Sequence, residues 1–363
     1  MSLIRRTEVI AIAWDGFAAS RGARRTARLR ETKVDFSVKI QRPNGTGELK
    51  GMRDMGRQLF IAVVIGLGVV TMAAPAIGAT EGSLVRQSDT AWSIPSTDPT
   101  GLTYDPRSRK LWISDSEVDE TGFWKHRNLF IANKMGVLQK TRRLDKATVE
   151  PEGVSWYPRG KSLFVADDDK NAIFRFGRGG DGKIGTRDDK VRKVVNTLRY
   201  GSGDAEGVTW HSRRGKLDML IWTDATTTKI YELKRGSDKR FGTRDDVMKR
   251  TFAASSFADP RGRHLNDPNG VYFDRKTSHL FTVDSKKHFV LETTLTGQFV
   301  QTIDMPFCRL ALNGCRGFSD LVFAPGTDGS PRRLYLTDRG VDNDVDPAEN
   351  DGKLYEVEFV DVP

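Results

Sequence analysis

Cysteine and histidine are scarce in this chain, with two Cys and five His among 363 residues. Two lone Cys with no nearby His pair make a poor zinc site, and no zinc-ligand constellation appears. Cys308 and Cys315, separated by six residues, are expected instead to form a structural disulfide of an exported protein. A loop that small gains roughly 2.5 kcal/mol in chain-entropy terms. Gly-rich phosphate loops and the nucleophile elbow of serine hydrolases are missing as well. A basic footprint is also lacking. The net charge is +10, but residues 1–58 hold 13 Lys and Arg against 6 Asp and Glu, which leaves 45 against 42 for the remainder. Nucleic acid is therefore not an expected partner.

Long apolar runs are absent too, with one exception. Leu59 to Ala79 carries no charge, follows Arg53 and Arg57, and ends in Ala73-Ala74-Pro75-Ala76-Ile77-Gly78-Ala79. This is the layout of a secretory signal peptide over residues 52–79, cleaved after Ala76 or Ala79. The alternative is an uncleaved anchor over residues 59–79, because about 20 apolar residues can span a bilayer. The expected location is periplasmic or secreted, with a membrane association only if the segment is kept. Residues 1–51 show no periodicity and an Arg-rich run from Arg21 to Arg30. They are read as unstructured or as lying ahead of the true start at Met52 or Met55.

What the chain has in abundance is internal repetition. Glu150-Pro151-Glu152-Gly153-Val154-Ser155-Trp156 recurs as Asp98–Tyr104, Asp204–Trp210 and Asp267–Phe273, and in a worn copy as Gly317–Phe323. Gly101, Gly153, Gly207 and Gly270, with Asp320 in the fifth slot, are 52, 54, 63 and 50 residues apart. That interval is the length of a four-stranded blade with generous loops. Each opening motif leads to an apolar run ending in Asp: Asp115, Asp167, Asp224, Asp284 and Asp338. The pattern predicts an all-β propeller over residues 83–363 with five blades. Six would need a hidden unit between Arg235 and Asn266, where the opening motif is lacking. The last unit is one strand short, so Ser83–Pro95 is predicted to supply its outer strand and close the ring without a broad exposed edge.

The terminal Asp residues are expected to accept backbone N–H bonds in turns. A shorter repeat lies in two of the units. Asp181, Asp188 and Asp189 in the second match Asp238, Asp245 and Asp246 in the third. Two readings stand for these loops: a peripheral calcium site of oxygen ligands, or a tight hairpin whose Gly takes positive φ and whose Asp residues cap it.

The opening motifs resemble those of the calcium-dependent propellers, above all the SMP-30/gluconolactonase/luciferin-regenerating group, with strictosidine-synthase-like and NHL propellers as neighbours. Glu152-Gly153-Val154-Ser155-Trp156 resembles that group's metal-binding Glu-Gly motif, and Asn266–Val271 its Asn-Gly motif. Asp167–Phe176 resembles an NHL repeat. The group is six-bladed, and its remaining acidic ligand maps onto Asp320. Five-bladed calcium-dependent apyrases offer a second likeness in layout. The resemblance implies calcium and a hydrolytic activity.

Independently of the resemblance, the residue before each Gly is expected to converge on the channel mouth. Thr100, Glu152, Glu206, Asn269 and Ser319 are all oxygen-bearing, which suits Ca2+ with its six to eight oxygen ligands. Such an ion acts as a Lewis acid or activates water. The flanking acids Asp98, Glu150, Asp204 and Asp267 are read mainly as strand-entry caps. Asp267 and His264 are the candidate catalytic groups. Two functions are carried forward: a calcium-dependent hydrolase of a lactone, ester or phosphoester, and a non-catalytic propeller that binds a ligand or protein through its rim loops. The partner is a small-molecule substrate or ligand, and the chain is expected to be monomeric.

Overall fold

Short apolar runs such as Leu111–Ile113 and Leu163–Ala166 are fully buried, as expected of strands covered on both faces. In the computed structural model, which describes residues 80–359 apart from 214–215, 257–258, 260 and 311–313, they form the second strand of each of five sheets. Blade 1 is Pro99–Asp105, Lys110–Asp115, Leu129–Ala132 and Leu138–Arg142. Blade 2 is Val154–Tyr157, Ser162–Asp167, Ala172–Gly177 and Lys190–Asn196. Blade 3 runs from Ala205–Arg213 through Lys216–Asp224 and Lys229–Lys234 to Val247–Ala253. Blade 4 is Pro268–Asp274, His279–Asp284, Phe289–Thr294 and Phe299–Asp304, with Thr80–Glu81 added in parallel at its outer edge. Blade 5 is Phe318–Ala324, Arg333–Asp338 and Lys353–Glu358, completed by Ser83–Asp89. The innermost strands contact one another in a closed cycle, blade 5 against blade 1 included. The fold is a five-bladed β-propeller.

The N-terminal strand closes the ring as its sequence predicts, but it is shorter. It pairs antiparallel with the last strand from Ser83↔Glu358 to Asp89↔Lys353 and stops there. Thr90 then turns the chain, its hydroxyl donating to the Ser96 carbonyl at 2.6 Å and its N–H to the Gly352 carbonyl at 2.9 Å. The stretch where a sixth unit would have to lie holds the outer strand of blade 3. The signal segment, its cleavage sites and residues 1–51 lie outside the described residues. Among the described residues, no helix is long and apolar enough to cross a membrane.

The core lies in the seams. Each junction between neighbouring blades holds its own apolar cluster, for example Trp112, Leu129, Trp156 and Phe176 between blades 1 and 2, and Leu102, Ile113, Tyr335 and Leu354 between blades 5 and 1. Cys308 and Cys315 are bonded, with an S–S distance of 2.05 Å. They belong to the cluster between blades 4 and 5.

The Asp at the end of each second strand does the structural work expected of it. Asp115 accepts the Asp98 N–H on one oxygen and the Glu117 and Val118 N–H groups on the other. Asp284 holds Asn266, Asp267 and Lys286 in the same way, and Asp338 holds Arg316, Gly317 and Gly340. These three therefore tie the segment entering their blade to the turn after its second strand, while Asp167 holds the Lys170 N–H of the following turn. Those two segments form one face of the ring.

At the axis the inner strands touch backbone to backbone. A Cβ on Gly153 would lie 2.6 Å from the Gly207 Cα, and one on Gly270 would lie 2.4 Å from the Asp320 Cα. Only Gly permits such an approach. In the fifth slot the Asp320 side chain fills the centre. Its carboxylate accepts the Leu102 N–H at 2.7 Å and the Leu321 N–H at 2.8 Å.

Candidate functional site

The residues before the ring glycines do gather around this closed centre, but they do not all point to one place. The Thr100 hydroxyl donates to the Pro151 carbonyl of the next blade at 3.3 Å. Ser319 donates to the Pro99 carbonyl at 2.6 Å and lies 3.0 Å from the Thr337 hydroxyl. Both hydroxyls thus run around the ring and stitch blades together. The Asn269 side chain is buried, and its backbone carbonyl accepts the Thr223 hydroxyl in a short contact. The two whose side chains act on each other are Glu152 and Glu206, each near enough to bear on the other's ionisation.

Two acids side by side with little solvent cannot both ionise cheaply. Burial first, and then the Asp168 charge, push Glu152 up to about 8, against the Arg339 charge. Glu206 keeps some surface open to solvent, yet burial is the main cause of its strongly raised pKa, followed by the charges of Glu152, Asp204 and Asp168. Burial raises Asp168 to about 6, and burial with Asp169 raises Glu150 to about 8. Arg339 moves the other way: burial alone would lower it, but Asp98, Glu152 and Glu117 hold it charged, well above the usual value. One guanidinium therefore stands among a crowd of carboxyls.

A carboxyl raised on folding binds more protons in the folded than in the unfolded state. Its effect is absent below the unfolded pKa and costs stability as pH rises between the two values. For Glu152 that window runs from 4.5 to about 8. In chelator, the melting temperature is expected to fall from about pH 5 to about pH 8, and to fall less in Glu152→Gln. Equal falls in the two proteins would show that Glu152 is not the group responsible.

The two candidate catalytic groups lie differently. His264 is half-buried, with Nδ1 3.2 Å from the Gly262 carbonyl. Asp267 accepts the Ser285 hydroxyl at 2.6 Å and pairs with the Lys286 Nζ at 2.7 Å. Burial would raise its pKa, but those two partners outweigh it and hold the pKa low. Among the flanking acids, Asp204 caps the Thr226 N–H and hydroxyl. Asp98 does not act as a cap: neither of its oxygens has a hydrogen-bond partner.

The paired Asp-rich loops join the third and outer strands of blades 2 and 3. Their carboxylates face inward on their own backbone. Asp188 accepts the Asp181 N–H and the Thr186 hydroxyl, and Asp189 the Gly185 N–H. Asp245 and Asp246 repeat this with Asp238, Thr243 and Gly242, while Asp181 and Asp238 each cap the residue two further on. Gly185 and Gly242 have φ of +78° and +86°, so the geometry is that of the self-capped hairpin. Ile184 and Phe241 at the tips pack into the seam with the preceding blade.

Sequence reasoning missed Arg339, Glu117 and Asp342. Arg339 Nη2 lies 2.9 Å from the Asp342 Oδ2 and Nη1 3.6 Å from the Glu117 Oε1. The available signal was the alternating acidic run Asp342-Asn343-Asp344-Val345-Asp346 in the long loop of the last unit. Among the described residues, two groups of acids could hold a metal ion: Asp98 with Glu117 and Asp342, and Glu150 with Asp168 and Asp169.

No protein-family model matches the chain. No curated protein matches it either. Among solved structures it is similar to a luciferin-regenerating enzyme at 13% identity, over 77% of this chain and 95% of that one, with a TM-score of 0.43. A putative gluconolactonase follows at 12%, 77% and 93%, TM-score 0.42. The PQQ-bound aldose sugar dehydrogenase of Streptomyces coelicolor stands at 11%, 79% and 100%, TM-score 0.45. At these values no reaction and no ligand carries over to this chain.

Proposed function

We propose that this is an exported propeller that binds Ca2+ on the face around Glu152 and Glu206 and hydrolyses a lactone, ester or phosphoester there. The observation that carries the reading is the nearness of those two acids, deep in the ring, where among the described residues neither forms an ion pair and the Arg339 charge acts on both. Asn269 lies in the equivalent slot of the next blade, with Thr100 and Ser319 completing the set. Hydroxyl oxygens that donate to a carbonyl keep lone pairs to offer, so the donors fit a hard cation that prefers oxygen. When bound, calcium supplies Lewis acidity toward a carbonyl or phosphoryl oxygen.

The residues of the chain supply the rest. Arg339, held charged by its acidic neighbours, favours the anionic oxygen that develops when water adds to such a group. Asp168, with a pKa of about 6, and Asp267, held ionised beside Lys286, are the acids that would accept a proton from water in this reading. His264 would join them only with a substrate that reaches the exposed loop. The disulfide supports export, since such bonds persist in oxidising compartments.

The test is metal analysis of the purified protein followed by a panel of lactones, esters and phosphoesters with and without chelator. Activity is expected to require calcium. Glu152→Gln and Glu206→Gln should each lower kcat/KM by roughly a hundredfold, about 2.7 kcal/mol of transition-state stabilisation. Asp188→Asn and Asp245→Asn, in the self-capped hairpins, should leave it unchanged. Activity that survives chelator and both Glu variants would remove the metal-centred reading, and a protein inactive on the whole panel would favour the non-catalytic propeller.

A further inference from the structure

At the junction of the first and last blades, three carboxylates converge from segments far apart in sequence. Asp98 lies on the segment entering blade 1, Glu117 follows the second strand of that blade, and Asp342 lies in the loop after the second strand of blade 5. One oxygen of each lies within 4.8 Å of the other two. Points on a sphere of calcium–oxygen radius, about 2.4 Å, are at most about 4.8 Å apart, so the three can share one ion.

Proximity of acids alone would not decide the matter. Asp98 does, because it is fully buried and yet neither of its oxygens receives an N–H or hydroxyl donor; its near neighbour is another carboxyl, that of Glu117. A buried carboxylate normally collects donors or a counter-ion, since leaving one bare is costly. Arg339 meets that need only in part. Its charge acts on Asp98, but its hydrogen-bonding reach is taken by Asp342 and Glu117, and one guanidinium balances at most one negative charge. Neighbouring backbone is already committed: the Asn343 and Asp344 N–H groups donate to the Glu117 Oε2 at 2.8 and 3.3 Å, which brings the blade 5 loop to blade 1 and leaves Asp98 facing other acids.

We propose that this junction is a second cation site, of the calcium class, in which Asp98, Glu117 and Asp342 are ligands that join the loop of blade 5 to blade 1. It shares no ligand with the Glu152–Glu206 pair. Its role is structural: the ion locks the Arg339–Asp351 loop against the first blade and so fixes Arg339 over the shared face of the ring.

The experiment is calcium titration of chelator-stripped full-length protein, by calorimetry and by thermal melting, in wild type and three variants. Wild type is expected to bind an ion whose affinity falls at least tenfold in Asp98→Asn and in Asp342→Asn, while the Glu152→Gln/Glu206→Gln double variant retains it. Asp98→Asn is also expected to melt at least as high as wild type in chelator, because it replaces a buried carboxyl crowded by other acids with a neutral group of nearly the same shape, and to lose the upward shift with calcium. Asp342 is half-buried in a loop, so its variant keeps the test open should Asp98→Asn fail to fold. Wild-type affinity in both Asp variants, or a loss of all calcium in the Glu double variant alone, would overturn the second site while leaving the first intact.

Discussion

A chain cut back to begin at Thr90 is expected to lose its soluble, cooperatively melting form. The deletion removes Ser83–Asp89, which pairs along the whole of Lys353–Glu358, and with it the short parallel strand on blade 4. Blade 5 is then left with three strands and an open edge, a template for pairing with other chains. In a domain of this size each kcal/mol shifts the melting temperature by about 2–4 °C, and a strand that closes a ring contributes several. The expected result is aggregation on expression, or a melting temperature lower by more than about 10 °C. A truncated protein that stays soluble and melts like the full chain would show that closure does not depend on this strand.

Asp320→Ala is expected to be the most destabilising single substitution at the axis. Four blades bring Gly to the centre and the fifth brings a carboxylate that fills the space and binds the Leu102 and Leu321 N–H groups. Alanine would leave both donors buried and unpaired, at roughly 1–3 kcal/mol each, with a void added. A loss of about 3–5 kcal/mol in denaturant unfolding follows. Burial pushes the Asp320 pKa well up, while the N–H groups of Leu102, Leu321 and Val154 pull it back. Asp320→Asn keeps one acceptor oxygen and nearly the same volume, so it should cost less than alanine. Equal losses for the two variants would mean that the central hydrogen bonds contribute nothing and that volume alone matters.

The two results would bear on different parts of the molecule. The truncation tests the perimeter, where one end of the chain closes onto the other. The axial substitution tests a position in which one acid replaces the Gly used by every other blade.

The sequence by itself determined the architecture. Spacing from Gly101 to Asp320 set the blade number, the Asp-terminated runs marked every second strand, and the three-stranded last unit implied closure by residues near Ser83. These features are legible because they are local: strand periodicity, turn chemistry and close-packed glycines leave their mark within each repeat of about fifty residues. The meeting of Glu152 with Glu206 was legible for the same reason, since equivalent positions of neighbouring blades must come together in a ring.

Only the tertiary structure decided what the side chains at those positions do. Thr100 and Ser319 occupy the expected slots, yet their hydroxyls turn to carbonyls of adjacent blades. His264 lies half-buried beside the Gly262 carbonyl, and Asp267 takes Lys286 as its partner. Asp98 repeats the pattern of Asp204 but lacks its donors, because blade 1 meets the irregular loop of blade 5 at this point. Glu117 and Asn343, bonded across 226 positions of sequence, belong to no repeat and share no period. Which loop ends meet across the ring, and which carboxylates are left without donors when they do, is set by how five blades pack around an axis that Gly and one Asp close, and no spacing within a single blade encodes it.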